Sequence, residues 1–180
     1  VTARLTESIG EQVQKLDVDV AVRDAIPTDV TTLHRLLGTR PDSRHFRHHR
    51  DNPLHADLVV VDEASMIDMD MMASLLDALA ANGDVDAIYR QIAGFKSVLL
   101  KGSDMAADER RAVLEGLIQT SSPLRLLAEE QLALIEVEAG DTAAALERLE
   151  RIAADAEASA GLRRRATQLI VALGGDRSEA

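Results

Sequence analysis

The sequence predicts an incomplete α/β segment followed by an all-α array of helical hairpins, predominantly helical overall. Three observations carry this. Leu58-Val59-Val60-Val61 is a short, unbroken apolar run rich in β-branched residues, the pattern of a strand buried on both faces as in a parallel sheet. The composition changes at Ala81-Asn82-Gly83-Asp84: all five histidines and three of the four prolines precede it, and Ala-, Leu- and Glu-rich text follows. Beyond it, apolar residues recur at helical spacing almost to the end. The expected division is therefore residues 1–82 and residues 83–180, with Asn-Gly as the turn between them.

In chain order, Leu5, Ile9, Val13 and Leu16 share one helical face. Thr32 to Leu37 predicts a short helix closed by Gly38, the residue that most readily takes the left-handed cap. Residues 39–57 are rich in turns, with Pro41-Asp42-Ser43 and Asp51-Asn52-Pro53 as two of them and a hairpin around Asp51-Asn52. A strand is expected over 57–62. The helix after it runs from about Asp70 to Ala81 and turns Met71, Met72, Leu75, Leu76 and Leu79 inward. Further helices are expected near 84–100, 106–119, 123–139, 141–157 and 160–173. Ser122-Pro123 reads as an N-cap followed by proline in the first helical position. Gly140 ends one helix and Asp141 caps the next, a loop so short that the two must be antiparallel neighbours.

With 180 residues, a net charge of −11 and 46% apolar residues, the chain suits one ordinary domain or two small ones. Aromatic residues make up only 2%, so the core must be built from Leu, Ile, Val, Ala and Met. The absence of cysteine excludes disulfides, thiol nucleophiles and thiolate zinc sites. Both parts are acidic: residues 1–83 carry 8 Lys and Arg against 14 Asp and Glu, and residues 84–180 carry 12 against 17. That balance argues against nucleic-acid binding over the whole surface, which needs clustered cations. No apolar run approaches the roughly 18 residues of a membrane helix. The chain starts at Val1 rather than Met and without a signal-type segment, which suits processing, trimming or a fragment.

The sharpest chemical signal is Leu58-Val59-Val60-Val61-Asp62-Glu63-Ala64-Ser65, where an apolar run meets two acids. At the carboxyl end of a buried strand, the first acid can reach a phosphate-bound Mg²⁺ and the second can orient or deprotonate a water, as in a Walker B motif. The octet by itself equally fits a buried strand that ends in a polar turn. Its surroundings are more specific. Thr32-Leu33-His34-Arg35-Leu36-Leu37-Gly38, Arg47-His48-His49, Asn52-Pro53-Leu54-His55 and Val60 through Asp68 with Met71-Met72 closely resemble the RecD family. These are the alpha subunits of exodeoxyribonuclease V, superfamily 1 DNA helicases. Ala3-Arg4-Leu5-Thr6-Glu7-Ser8 resembles the same family, so the likeness spans residues 1 to about 80. It implies a partial RecA-like fold and a cytoplasmic setting. It further implies Asp62 as the Mg²⁺-binding acid of a Mg-ATP site and Glu63 as the acid that activates water. Ser65 lies in the same motif, coupling nucleotide state to DNA contacts. The implied partners are DNA and the other exodeoxyribonuclease V subunits.

The chain holds no G-x-x-x-x-G-K-[ST] loop, the element that cradles phosphates and supplies a lysine. The family's later motifs are missing as well. No ATP hydrolysis is expected of this chain alone, and neither Mg nor ATP is expected to bind it tightly. Ala128 to Leu146 and Gly161 to Ala166 resemble the C-terminal part of tetratricopeptide-like proteins of the YfgM type. Those are envelope proteins, and that likeness over about 84–175 implies a helical module that binds a protein partner. The two resemblances imply different compartments, and their junction falls beside the change in composition, as in a join between two partial genes. The alternative to a helicase fragment is a non-catalytic interaction module.

The remaining constellations have structural readings. Arg44, His45, Arg47, His48, His49 and Arg50 read as a solvated hairpin rather than a phosphate contact. His45, His48, His49 and His55 match no standard zinc spacing. Met66, Met69, Met71 and Met72 read as core filling. Arg163-Arg164-Arg165 reads as a solvated helix start.

Overall fold

The computed structural model describes residues 2–40, 46–56, 59–62 and 67–175. Nine α-helices follow in order among them: α1 (Thr2–Gln14), α2 (Val20–Ala25), α3 (Leu33–Leu37), α4 (Met69–Ala80), α5 (Ala87–Lys101), α6 (Ala107–Gln119), α7 (Arg125–Glu138), α8 (Thr142–Ala154) and α9 (Ala160–Ala172). From α4 onward each helix packs on the next, and α3 packs on α4. None of them is long and apolar enough to cross a membrane.

Side-chain caps set several of these boundaries. Thr32, Asp68, Asp141 and Ser159 each accept a hydrogen bond from a backbone N–H of the first turn they precede. The Ser122-Pro123 reading is corrected: α7 begins at Arg125. The Ser122 hydroxyl accepts from Leu124 N at 3.2 Å and donates to Gln91 Oε1 at 2.8 Å, so it ties α5 to the α6–α7 turn. At Gly38 the backbone takes φ +73°, and a Cβ there would lie 2.8 Å from the Cβ of Arg47. Only glycine meets both demands. The short helix α2 has no counterpart in the sequence reading, because six residues are too few to show a period.

The α/β expectation is corrected at the strand. Among the described residues there is no β-strand; one isolated antiparallel bridge joins His49 and Asn52, at the turn where a hairpin is expected. Val59 and Val61 lean on the α3–α4 core, but Val60 is 84% exposed, so the run is covered on one face only. A strand needs backbone partners on its flanks, and no described segment supplies them.

Three apolar cores result. The first joins α3, the 46–61 segment and α4 through Leu37, Leu54, Met71, Leu75 and Ala78. The second joins α5, α6 and α7 around Leu114 and Leu132, and the third joins α7, α8 and α9 around Leu149 and Ile152. Most of the buried side chains are aliphatic, with Phe95 and Met105 in the second core and Met71 in the first, and each buried Leu or Ile contributes about 1.5–3 kcal/mol.

Ion pairs stitch the last four helices. Glu136 and Glu130, both buried on α7, receive Arg148 from α8 and Arg165 from α9. Glu129 shares Arg148. Arg110 on α6 makes a bidentate pair with Glu138, and Arg125 binds Asp155 and Glu157. The Arg163 guanidinium donates to the carbonyls of Ala153, Asp155 and Ala158, filling acceptors left open at the end of α8. Arg163 is therefore structural, whereas Arg165 pairs with Glu130 while half exposed and Arg164 stays exposed, as a solvated helix start predicts.

The Arg110 hydrogen bonds hold the Glu138 carboxyl below the usual carboxylate range, and Arg125 does the same for Asp155. A depressed folded-state pKa means the unfolded chain binds protons first. The stabilisation is present in full above about pH 4.5, the unfolded carboxylate range, and is lost as pH falls below it. Urea denaturation should show a flat midpoint from pH 5 to 7 and a decline toward pH 3. The decline should be smaller in the double variant Glu138→Gln/Asp155→Asn.

Candidate functional site

Of the two acids that the sequence points to, Asp62 follows Val61 of the α3–α4 core and precedes α4 in the chain. The loop that leads to it is held from both sides. Arg47 N donates to Gly38 O at 2.8 Å and His48 N to Leu37 O at 2.9 Å, which pins the loop on the end of α3. His48 Nδ1 donates to the Pro53 carbonyl at 3.0 Å, and Asn52 Nδ2 to Arg47 O at 2.8 Å. On the other side, Asn82 is fully buried. Its Nδ2 donates to Leu54 O at 2.8 Å, and its Oδ1 accepts from Asp84 N at 2.9 Å. Leu54 N donates to Ala78 O at 3.3 Å, so residues 54–56 are bound to the C-terminal end of α4.

From this anchor the chain runs to Asp62, which stands exposed at a bend. Glu63 and Ser65 lie outside the described residues, so the geometry places one of the three expected site residues. Asp68, six residues on, caps α4 through Met71 N at 2.9 Å. Asp62 is a hard oxygen donor of the type Mg²⁺ takes. It stands at a bend rather than at the end of a strand, and among the described residues no group of three or more His, Asp or Glu side chains could hold a metal ion.

The histidines do not converge. His48 faces Pro53, His49 lies 3.7 Å from Asp51, and His55 lies 3.4 Å from Asp84. His45 lies outside the described residues, as do Arg44 and Met66. Arg50 is drawn away from any ligand role in the loop by Asp77 and Glu109. Met71 is buried in the α3–α4 core as expected of core filling, whereas Met69 is exposed.

Sequence reasoning missed Asn82, which appeared only as part of a turn. A buried amide that bonds two carbonyls 26 and 28 residues away leaves no local signal.

Comparison with known proteins bears on this first part of the chain. Residues 1–88 match the model of an AAA domain family. The RecBCD enzyme subunit RecD of Mycolicibacterium smegmatis is 46% identical over 99 residues, covering 51% of this chain and 18% of that protein. RecD of Haemophilus influenzae is 44% identical over 81 residues, covering 43% of this chain and 13% of its own length. RecD of Mycobacterium tuberculosis is 38% identical over 98 residues, covering 51% and 17%. The chain thus spans less than a fifth of the length of these relatives. No solved structure matches. The N-terminal half is thus similar to an AAA domain and, within that class, to part of RecD.

Replacing Asn82 with Ala removes a buried amide and strands the Leu54 carbonyl. An unsatisfied buried group of this kind costs about 1–3 kcal/mol. Urea unfolding of Asn82→Ala should show that loss, with faster amide exchange at Leu54. Exposed Asn52→Ala should cost less. Equal losses in the two would show that burial at Asn82 carries no special weight.

Proposed function

We propose that residues 1–82 are a RecD-like helicase segment and that residues 83–180 form a tetratricopeptide-like module that binds a protein partner. In the first segment Asp62 has the role of the Mg²⁺-binding acid, Glu63 that of the water-activating acid, and Ser65 links them to DNA contacts. The observation that supports this is the similarity to RecD over the first half, at 46% identity with one relative. The relatives are named as subunits of the RecBCD enzyme, which suggests other subunits and DNA as partners of this segment. The phosphate loop is not among these residues, so the acids act on Mg-ATP only together with a loop supplied from outside them. Given neighbouring strands, Leu58–Val61 has the composition to join a sheet, and Asp62 would then stand at its carboxyl end.

A second reading is favoured by the three helix-to-helix cores. In it the chain is a non-catalytic interaction module, and the helices from α5 onward form its stable unit. The two readings part on nucleotide. Calorimetric titration of the chain alone with Mg-ATP should give no binding at millimolar nucleotide under either reading. Mixed with a separately produced phosphate-loop segment of a RecD relative, the helicase reading requires Mg-ATP binding stronger than that segment shows alone. It also requires that Asp62→Asn weaken the gain about tenfold or more, as loss of a metal-ligating charge does. A mixture that binds no better than the loop segment leaves the interaction module.

A further inference from the structure

A cleft of about 540 Å³ opens between α4, α5 and α6, within the range of small-molecule sites. Its walls are small and aliphatic: Ala80 and Ala81 at the end of α4, Ala87 and Gly94 on α5, Val113 and Leu117 on α6. A Cβ built on Gly94 would make van der Waals contact with both neighbouring helices, at 3.6 Å to Val113 and 3.9 Å to Ala80, so a side chain added there would take up space between them.

The polar groups around the cleft are mostly engaged with one another. The Gln91 amide donates to Thr120 Oγ1 at 3.2 Å and accepts from Ser122 at 2.8 Å. Asp77 receives Ser97, Lys101 and Arg50. Arg50 is shared between Asp77 and Glu109. Arg90 is the exception: its Nε is buried without a hydrogen-bond acceptor, and it makes no ion pair with a described residue. Two cations, Arg50 and Arg90, thus line the cleft with one carboxylate, Asp77. The cleft is locally positive in a chain of net charge −11. A half-buried guanidinium without a partner, beside an apolar wall, is matched by an anion that brings its own apolar surface.

We propose that this cleft binds a small amphiphilic anion, with a carboxylate or phosphate head on Arg90 and an aliphatic body along Ala80, Ala81 and Gly94. No aromatic side chain lines the walls, which favours an aliphatic body over a flat ring. The site is shared between helices α4, α5 and α6 and does not depend on the nucleotide reading.

The test is an amide NMR titration of the full chain with octanoate, octyl phosphate and neutral octanol. Saturable shifts at Gly94 and Ala80 with at least one anion, and a Kd at least about tenfold weaker for octanol, are expected for a charge-assisted contact. The stronger of the two anions identifies the head group. Arg90→Gln should weaken that anion about tenfold, while Arg151→Gln on α8 should leave it unchanged. Gly94→Leu keeps Arg90, fills the cleft and should abolish the shifts, which preserves the test if Arg90→Gln fails to fold. Octanol binding as well as both anions, an unchanged affinity in Arg90→Gln, or no saturable shift with either anion would each overturn the proposal.

Discussion

Helix α4 is the element on which both parts of the chain depend, because it is buried on two sides. Met71, Leu75 and Ala78 close the core against α3 and the 46–61 segment. The adjoining side presents Asp77 to Ser97 and Lys101 of α5. The carboxylate is mostly buried, and its desolvation is offset only because a hydroxyl and two cations meet it. At the end of the same helix, fully buried Asn82 holds residues 54–56 and starts the turn toward α5. Loosening α4 would therefore release the loop that leads to Asp62 and also unseat the first helix of the array.

The charge pattern follows from a similar economy. The chain carries 20 Lys and Arg against 31 Asp and Glu. Most arginines of the helical array are held by particular acceptors: Arg110, Arg125, Arg148 and Arg165 by carboxylates, and Arg163 by carbonyls at the end of α8. Glu130 and Glu136 sit in helix interfaces where an unpaired carboxylate would be costly, so their partners fix how α8 and α9 rest on α7. Isolated aliphatic packing would leave that rotation less defined, since methyl and methylene groups are interchangeable to a degree that bidentate pairs are not.

The helices were legible where local signals are strong. Spacing located α4 to α9 within a few residues, and the caps at Thr32 and Asp141 act as their residue types suggest. The misreadings share one cause, which is dependence on distant partners. Ser122 reads as a cap, but Gln91 on α5 claims its hydroxyl. Arg163 reads as solvated, because the carbonyls that receive it lie up to 10 residues away. Of the site, the acids were legible as a pair after an apolar run. The anchoring of residues 54–56 by Asn82 was not.

The apolar run at 58–61 shows what such a pattern encodes. Four consecutive apolar residues specify burial on two faces, not a particular backbone shape. Here α3 and α4 supply a cover for one face, received by Val59 and Val61, while Val60 stays in solvent. No β-strand forms over 59–61: a strand is stabilised by ladders on its flanks, and an extended segment without them gains little from staying straight. Asp62, which follows, stands exposed at a bend. Asp62 can be aimed at a phosphate-bound ion only when a sheet fixes the direction of the chain before it. The chemistry implied by the sequence motif is therefore conditional on structure that the motif itself cannot supply.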